Sequence, residues 1–428
     1  MYGRSLITLK TGRDSQDTWD LIVIGGGPAG LFAAAEAAAG GERTLLVEGN
    51  GETGKKLLLT GKGRCNFTNA GLSAQTLQEP FGRKGRFLHT GLAAFGPEAI
   101  CRFFDERGLA SVVERGKRVF PASGDARTVR DLLVEEARRQ GVTIRTNHLV
   151  RELLREDRRI VAVRTSKGEL RARRIIVATG GCSYGRTGSR GDAFGWAREL
   201  GIDVVPPRPA IVPIRTAESG ALNLDGLILR NVALALFVGG KKTDSRFGEM
   251  QFTPFGISGP IAMDLARNVG EALEGNDDVT LSIDLKPALD AAKIDARLIR
   301  DIEKRKGYPF SSLLAGLLPR ELIASFVDLA AVAVDRPLNG ITKEERQRIA
   351  ALLKGFPLTP TGLLGFDWAL VTSGGISLKE LDPRTMRAKA WENLHFAGEV
   401  IDLDGPTGGY NLQVCWSTAF LAGRGGTR

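Results

Sequence analysis

The sequence predicts an α/β fold in which a parallel sheet, assembled from both ends of the chain, is interrupted by a strand-rich and then a helical insert. Three observations predict it. Residues 20–48 read as strand, glycine turn, small-residue helix and second strand. Residues 173–181, RRIIVATGG, read as another buried strand ending in a small-residue turn. Between about 206 and 370 the pattern changes first to strand-like and then to helical period.

In the stretch DLIVIGGGPAGLFAAAEAAAGGERTLLVE, Gly25, Gly27 and Gly30 supply a G-x-G-x-x-G. The first glycine makes the tight turn out of the strand, the second lets backbone approach a pyrophosphate, and the third lets helix and strand pack closely. Pro28 and Ala29 open the helix, whose N-terminus then faces the phosphates. The alanines at 33, 34, 35, 37, 38 and 39 keep that helix thin enough to lie on a sheet. Glu48 ends the second strand 18 positions beyond Gly30, where a carboxylate can hold a ribose hydroxyl. Strand, turn, helix, strand and terminal acid together point to a dinucleotide site rather than a structural turn. They do not separate FAD from NAD.

The length of 428 residues corresponds to about three domains, and 43% apolar with 7% aromatic residues suits an ordinary α/β protein. No apolar run approaches the roughly 18 residues of a membrane span, and the first residues lack the apolar core of a secretory signal. A cytoplasmic protein with no membrane partner is expected. Cys65, Cys101, Cys182 and Cys415 form no C-x-x-C, and only three histidines are present, so no metal is expected and the thiols should stay free. The net charge of +10 makes an anionic partner plausible, RNA or DNA among others, although the charges are scattered.

Residues 1–18 read as a polar tail. After Glu48, GNGETGKKLLLTGKGRCNFTNAG reads as a glycine-rich loop over the nucleotide, in which Lys55, Lys56, Lys62 and Arg64 offer donors to diphosphate or substrate. Residues 91–108 have a helical period, 112–119 read as strand–turn–strand, and 123–140 as a helix stopped by Gly141. Short strands follow at 142–144 and 149–154, then a hairpin, 160–165 and 169–172, turning at 166–168. Thr179 and Gly180 of the A-T-G exit permit close approach to a cofactor, and Asp192 leads from another glycine loop into a helix. Pro206, Pro207 and Pro209 are expected to break the chain at a domain boundary. Strand-like runs at 210–214, 224–229, 232–238, 250–255 and 279–283 suggest a small barrel or sandwich. Leu317, Leu318, Leu322 and Phe326 mark a helical segment in which 304–306 is a solvated basic run. Strands return at 370–376 and 394–396. The expected division is 1–205 with 371–428, 206–287 with 355–370, and 288–354.

The tail GEVIDLDGPTGGYNLQ decides the cofactor. Gly398, Glu399, Asp404, Gly408, Gly409, Tyr410, Asn411 and Leu412 cluster around a helix start near Asn411. A second helix N-terminus of this kind stabilises the negative charge of a reduced flavin. A front dinucleotide turn, a central A-T-G strand and a glycine–acid turn before a final helix describe FAD.

These motifs resemble the YhiN-like flavoproteins, also called BaiN-like or RdsA-like FAD-dependent oxidoreductases. The resemblance is carried by GKKLLLTGKGRCNFTN (54–69), FTPFGISGP (252–260), LLP (317–319), VTSGGISLKELDPRTM (371–386) and FAGEVIDLDGPTGGYNLQ (396–413). It covers the chain from residue 20 onward. It implies a Rossmann-type FAD-binding domain, of the two-dinucleotide-binding-domain flavoprotein type, with inserted β-barrel-like and helical domains. It also implies saturation of an activated C=C bond, either in a uridine of large-subunit ribosomal RNA or in an unsaturated bile-acid-like compound. Ala388 stands where the family usually has Ser, and Cys415 where it usually has Ala.

The mechanism expected for such a reaction has NAD(P)H reduce the flavin transiently, since no second G-x-G-x-x-G is present. Flavin N5 then delivers hydride, and an acid protonates the neighbouring carbon. Cys65 is the candidate acid, flanked by Arg64 and Asn66, since a thiol of ordinary pKa about 8.5 is protonated at neutral pH. The opposing reading makes Cys65 a packing residue. A small-molecule enone reductase and a flavin-binding protein without turnover are the competing functions. Positive charge, continued by Arg83, Lys84 and Arg86, favours RNA.

Overall fold

The computed structural model describes residues 18–218, 223–275 and 278–425, so most of the expected polar tail lies outside the described residues. The chain forms two compact units, one running to Arg208 and resuming at Val371, the other spanning Pro209–Leu370.

The first unit is built on a seven-stranded sheet. Thr18–Ile24 lies parallel to Thr44–Val47 on one side and to Gly168–Val177 on the other, and Thr44–Val47 pairs in parallel with Thr143–Arg145. Gly168–Val177 changes partner along its length. Its start pairs antiparallel with Arg159–Thr165, and its end pairs in parallel with Leu394–Phe396. The central strands are buried on both faces, which is why LIVI and IIV read as continuous apolar runs.

Helix Pro28–Ala39 follows the first strand and helix Tyr410–Arg424 packs against it. An added Cβ at Gly423 would lie 2.8 Å from Ala33 O, and the Phe32 and Trp416 rings meet edge-on at 5.8 Å. A separate three-stranded sheet, in the order Thr68–Asn69, Arg118–Pro121, Ser111–Glu114, carries the loop that follows Glu48.

Three expectations are corrected here. Pro206, Pro207 and Pro209 do not interrupt the secondary structure, since they lie in strand Val204–Ala210, which pairs with Val371–Ile376, although the two units divide within this run, after Arg208. Proline's fixed φ is compatible with extended backbone, and an edge of a two-stranded ribbon tolerates the missing N–H. The strand-like region to about 270 contains a helix, Pro260–Glu274, with Pro at its first position and Ile261, Leu265, Ala266 and Val269 buried. The expected helical stretch 91–108 is instead the end of one helix, Gly85–Ala94, and a second, Pro97–Asp105, with a break between them and no helix over 106–108.

The second unit holds a seven-stranded antiparallel sheet in the order Phe356–Leu358, Val279–Asp284, Ile228–Val238, Lys241–Thr253, Gly256–Ser258, Ile214–Thr216, Pro360–Leu363. Its helices, including Ala291–Lys304 and Lys343–Lys354, share one apolar cluster with that sheet, so strands and helices here have a common core. Among the described residues no helix is long and apolar enough to cross a membrane.

Candidate functional site

The candidate site lies at the C-terminal ends of the parallel strands of the first unit, where Ile24, Val47, Val177 and Phe396 give way to loops. The three glycines of the first turn play different parts. Gly25 sits at φ +105°, and an added Cβ would meet Ala178 O at 2.5 Å. At Gly30 an added Cβ would fall 1.8 Å from Gly25 O, so the helix crosses its own turn without room for a side chain.

Gly27 has extended backbone, φ −76° and ψ −176°, and no protein atom lies within 4 Å of an added Cβ. Nothing in the protein requires glycine there. The open space in front of it is what a pyrophosphate would use.

Pro28 occupies the first helical position, and Ala29 packs under Gly398, whose added Cβ would lie 2.7 Å from Ala29 Cβ. Glu48 is fixed across the turn: Oε2 accepts from Gly26 N at 2.8 Å, and Oε1 accepts from Asn50 N and Nδ2 at 2.7 Å each. Thr179 lies beside Gly25, with its hydroxyl buried and unpartnered. Gly180, at φ +75°, has no room for a side chain against Ser189 Oγ.

Lys56 and Glu399, 343 positions apart, meet in a partly buried ion pair at 2.6 Å. Lys56 Nζ also donates to Ser183 Oγ at 2.6 Å, Ser183 Oγ donates to Glu399 Oε1 at 2.9 Å, and Thr372 N donates to the same oxygen at 2.9 Å. Thr372 Oγ1 accepts from the backbone N–H of Cys182 and Ser183. Sequence reasoning singled out Lys56 and Glu399 but missed Ser183 and Thr372. The available signal was their position in small-residue turns, ATGGCS and VTSGG.

The two most specific motifs meet. Gly408 and Gly409, at φ +125° and +98°, precede helix Tyr410–Arg424, and an added Cβ at Gly409 would lie 2.3 Å from Thr68 O. Thr68 Oγ1 donates to Gln413 Oε1 at 2.6 Å, Trp416 Nε1 to Phe67 O at 2.8 Å, and Asn69 Nδ2 to Gly408 O at 3.0 Å. Asn66 Oδ1 is buried beside Gly409 and has no hydrogen-bond donor. Tyr410 meets Phe81 edge-on, and Leu412 is buried. Asp404 is buried and accepts from Ser373 Oγ at 2.9 Å.

Four predicted residues stand differently. Cys65 is 0% exposed within the main apolar cluster, at φ +61°, and burial pushes its thiol up to about 12 against a weaker opposing hydrogen bond with Thr60. Protein atoms alone cover the sulfur in this conformation. That burial speaks for the packing reading of Cys65 and against an exposed acid. Arg64 turns outward to pair with Glu114, and its guanidinium lies 4.2 Å from the Phe120 ring centroid. Asn411 braces its own loop, accepting from Gly405 N and donating to Gly405 O, both at 2.8 Å. Asp192 is exposed in the first turn of helix Asp192–Glu199.

The description HI0933-like protein Rossmann domain matches residues 19–425. The chain belongs to this family. A 3-dehydro-bile acid delta(4,6)-reductase of Clostridium scindens is 30% identical over 404 residues, 94% of this chain and 97% of that protein. A ribosomal RNA dihydrouridine synthase of Escherichia coli is 28% identical over 411 residues, again 94% and 97%. The Mycobacterium smegmatis Sdh1 complex shares the fold at a TM-score of 0.51 and 18% identity, over 96% of this chain and 68% of that one.

This HI0933-like chain is an FAD-dependent oxidoreductase with a Rossmann FAD-binding domain. The residues present fit the cofactor. The space at Gly27, the lone hydroxyl of Thr179, the lone amide oxygen of Asn66 and two helix N-termini all lie in loops at one end of the parallel strands. Among the described residues no cluster of His, Cys, Asp or Glu is suited to a metal.

Proposed function

We propose that this HI0933-like protein saturates an activated C=C bond with FAD, reduced by transiently bound NAD(P)H, and that its substrate is a uridine of large-subunit ribosomal RNA. The observation that supports the flavin chemistry best is the union of the first glycine turn and the Gly408–Gly409 turn, each opening a helix N-terminus, at one end of the sheet. The RNA reading is supported by the dihydrouridine synthase relatives and by the net charge of +10.

Bound FAD supplies the hydride. The Gly25–Pro28 turn would present the Gly27 N–H and the N-terminus of helix Pro28–Ala39 to the pyrophosphate, and Glu48, already aimed by Gly26 and Asn50, would accept from ribose hydroxyls. Thr179 and Asn66 each bring a polar oxygen that gains its missing hydrogen bond from a ligand. Gly398, Glu399 and Lys56 tie the two halves of the cradle together, and the N-terminus of Tyr410–Arg424 favours negative charge on the ring. The proton that completes saturation comes from a group other than Cys65 or from water.

A small enone is the second reading, favoured by the 30% identity to the bile-acid reductase. Nucleoside mass spectrometry of rRNA from a deletion strain separates them. Loss of one dihydrouridine, restored by the wild-type gene, is expected. Unchanged dihydrouridine refutes the RNA substrate.

A further inference from the structure

We propose that the hairpin 111–121 is the surface on which the ribose–phosphate backbone of an RNA substrate docks beside the flavin site. The inference rests on the RNA reading above. The hairpin pairs Ser111 with Pro121, Val112 with Phe120, Val113 with Val119 and Glu114 with Arg118, and its inner strand continues onto Thr68–Asn69. Ser111–Glu114 is therefore the edge of the sheet.

Val112 is 41% and Val113 63% exposed. Adjacent residues of a strand point to opposite faces, so both faces of this edge are open. Edge strands usually carry charge or proline at such positions to discourage pairing with other chains. Two bare valines on an edge cost solubility unless something covers them.

The cations around the tip suggest what covers them. Arg115, Lys117 and Arg118 are exposed, Lys62 is exposed on the neighbouring loop, and Arg64 lies over Phe120. That loop is in contact with the hairpin, since an added Cβ at Gly61 would lie 3.2 Å from Phe120 Cε1. Glu114 is the one carboxylate of the hairpin, and it is taken up by Arg64 and by Arg118 at 3.7 Å. Among the described residues neither Arg115 nor Lys117 has an ion-pair partner. A polyanion answers this surplus, and the valines suit the apolar faces of sugars and unstacked bases.

The tip is also in the right place. Asn69 Nδ2 donates to Gly116 O at 3.1 Å and to Gly408 O at 3.0 Å, so one side chain joins the hairpin's turn to the glycine turn of the cofactor site. Ala70 N donates to Lys117 O at 2.8 Å, which fixes the turn from the other side. A strand of RNA held on Arg115 and Lys117 is thus held next to the place where the reaction is proposed to occur.

The test compares R115S/K117S with a charge-matched control on the far hairpin of the same unit, K167S/R171S, and with the wild type, all loaded with FAD. The probe is an unmodified transcript of the large-subunit rRNA, and affinity is measured from 50 to 200 mM salt. Every phosphate that is no longer neutralised by a cation lowers the slope of log K against log salt by about 0.7–0.9. The expected result for R115S/K117S is a slope smaller by about 1.4–1.8 and affinity reduced about tenfold or more. Flavin content and flavin reduction by NAD(P)H should match wild type. V112S/V113S should weaken binding without changing the slope. R115S/K117S that binds like the control overturns the proposal while leaving the RNA reading intact. A wild-type protein that does not bind the transcript overturns both.

Discussion

The two glycines Gly27 and Gly30 should separate folding from cofactor binding when each is given a side chain. At Gly30 an added Cβ would sit 1.8 Å from Gly25 O, whereas ordinary contact is about 3.5 Å, so helix and turn must part by about 1.7 Å. Overpacking of that kind costs about 1–3 kcal/mol or more. G30A should therefore melt earlier than wild type even in the FAD-free protein. At Gly27 the backbone is already extended and no protein atom lies within 4 Å. G27V should leave the melting of the FAD-free protein within about 1 kcal/mol of wild type, the scale of helix-start preferences. Its isopropyl group, however, fills the space assigned to the pyrophosphate. Losing two charge-assisted hydrogen bonds at about 1.5–3 kcal/mol each predicts a loss in FAD affinity of about 10²–10⁴-fold. Stripped protein titrated with FAD, followed by flavin fluorescence, measures this directly, and thermal melts without FAD give the other half. A folded G27V protein that binds FAD within a few-fold of wild type would refute the assignment of that turn.

C65A should cost about 1–2 kcal/mol of stability and keep turnover, because the thiol packs in the core; a 100-fold loss in an FAD-loaded, stably folded variant would restore the acid role. K56M should lower both the melting temperature and FAD affinity by leaving the Glu399 carboxylate without its cation, and unchanged values of both would show the pair to be incidental. Acid should destabilise the protein in two stages. Burial and Arg174 hold His395 down to about 3, below the ordinary 6.5, so the stability of its neutral folded form is eroded as pH falls below 6.5 and continues to fall toward 3. At Glu136 burial opposes the charge, but hydrogen bonds from Arg139, Arg107 and Gln140 outweigh it and lower the pKa to about 2. Its contribution is present above about 4.5 and is lost as pH falls toward 2. Melting temperatures from pH 7 to 3 should begin to decline near 6.5 in wild type and later in H395Q; identical onsets would exclude His395.

How far the site was legible follows from the range of the interactions involved. Gly25, Gly30 and Glu48 were readable because their reasons are local: a positive φ, a helix crossing its own turn, and a carboxylate reaching back to Gly26. The helix Pro260–Glu274 was missed although Pro260 at its start and the spacing of Ile261, Leu265, Ala266 and Val269 carry a local signal, because FGISGP, which ends on Pro260, reads as a turn between strands and hides the helix start. Ser183 and Thr372 were not readable, since their role depends on a contact across 189 positions that no local pattern encodes. Cys65 shows the limit from the other side. Glycines, Arg64 and Asn66 around it suggest an exposed reactive loop, yet the side chain is buried at a positive φ, and burial pushes its thiol up to about 12. Arg64 pairs with Glu114 and Asn66 lies beside Gly409, so three consecutive residues go to the surface, the core and the neighbourhood of the Gly408–Gly409 turn. The chemistry of the residues in a motif therefore does not say which of its side chains is buried: of these three only Cys65 has a positive φ, and it is the one in the core.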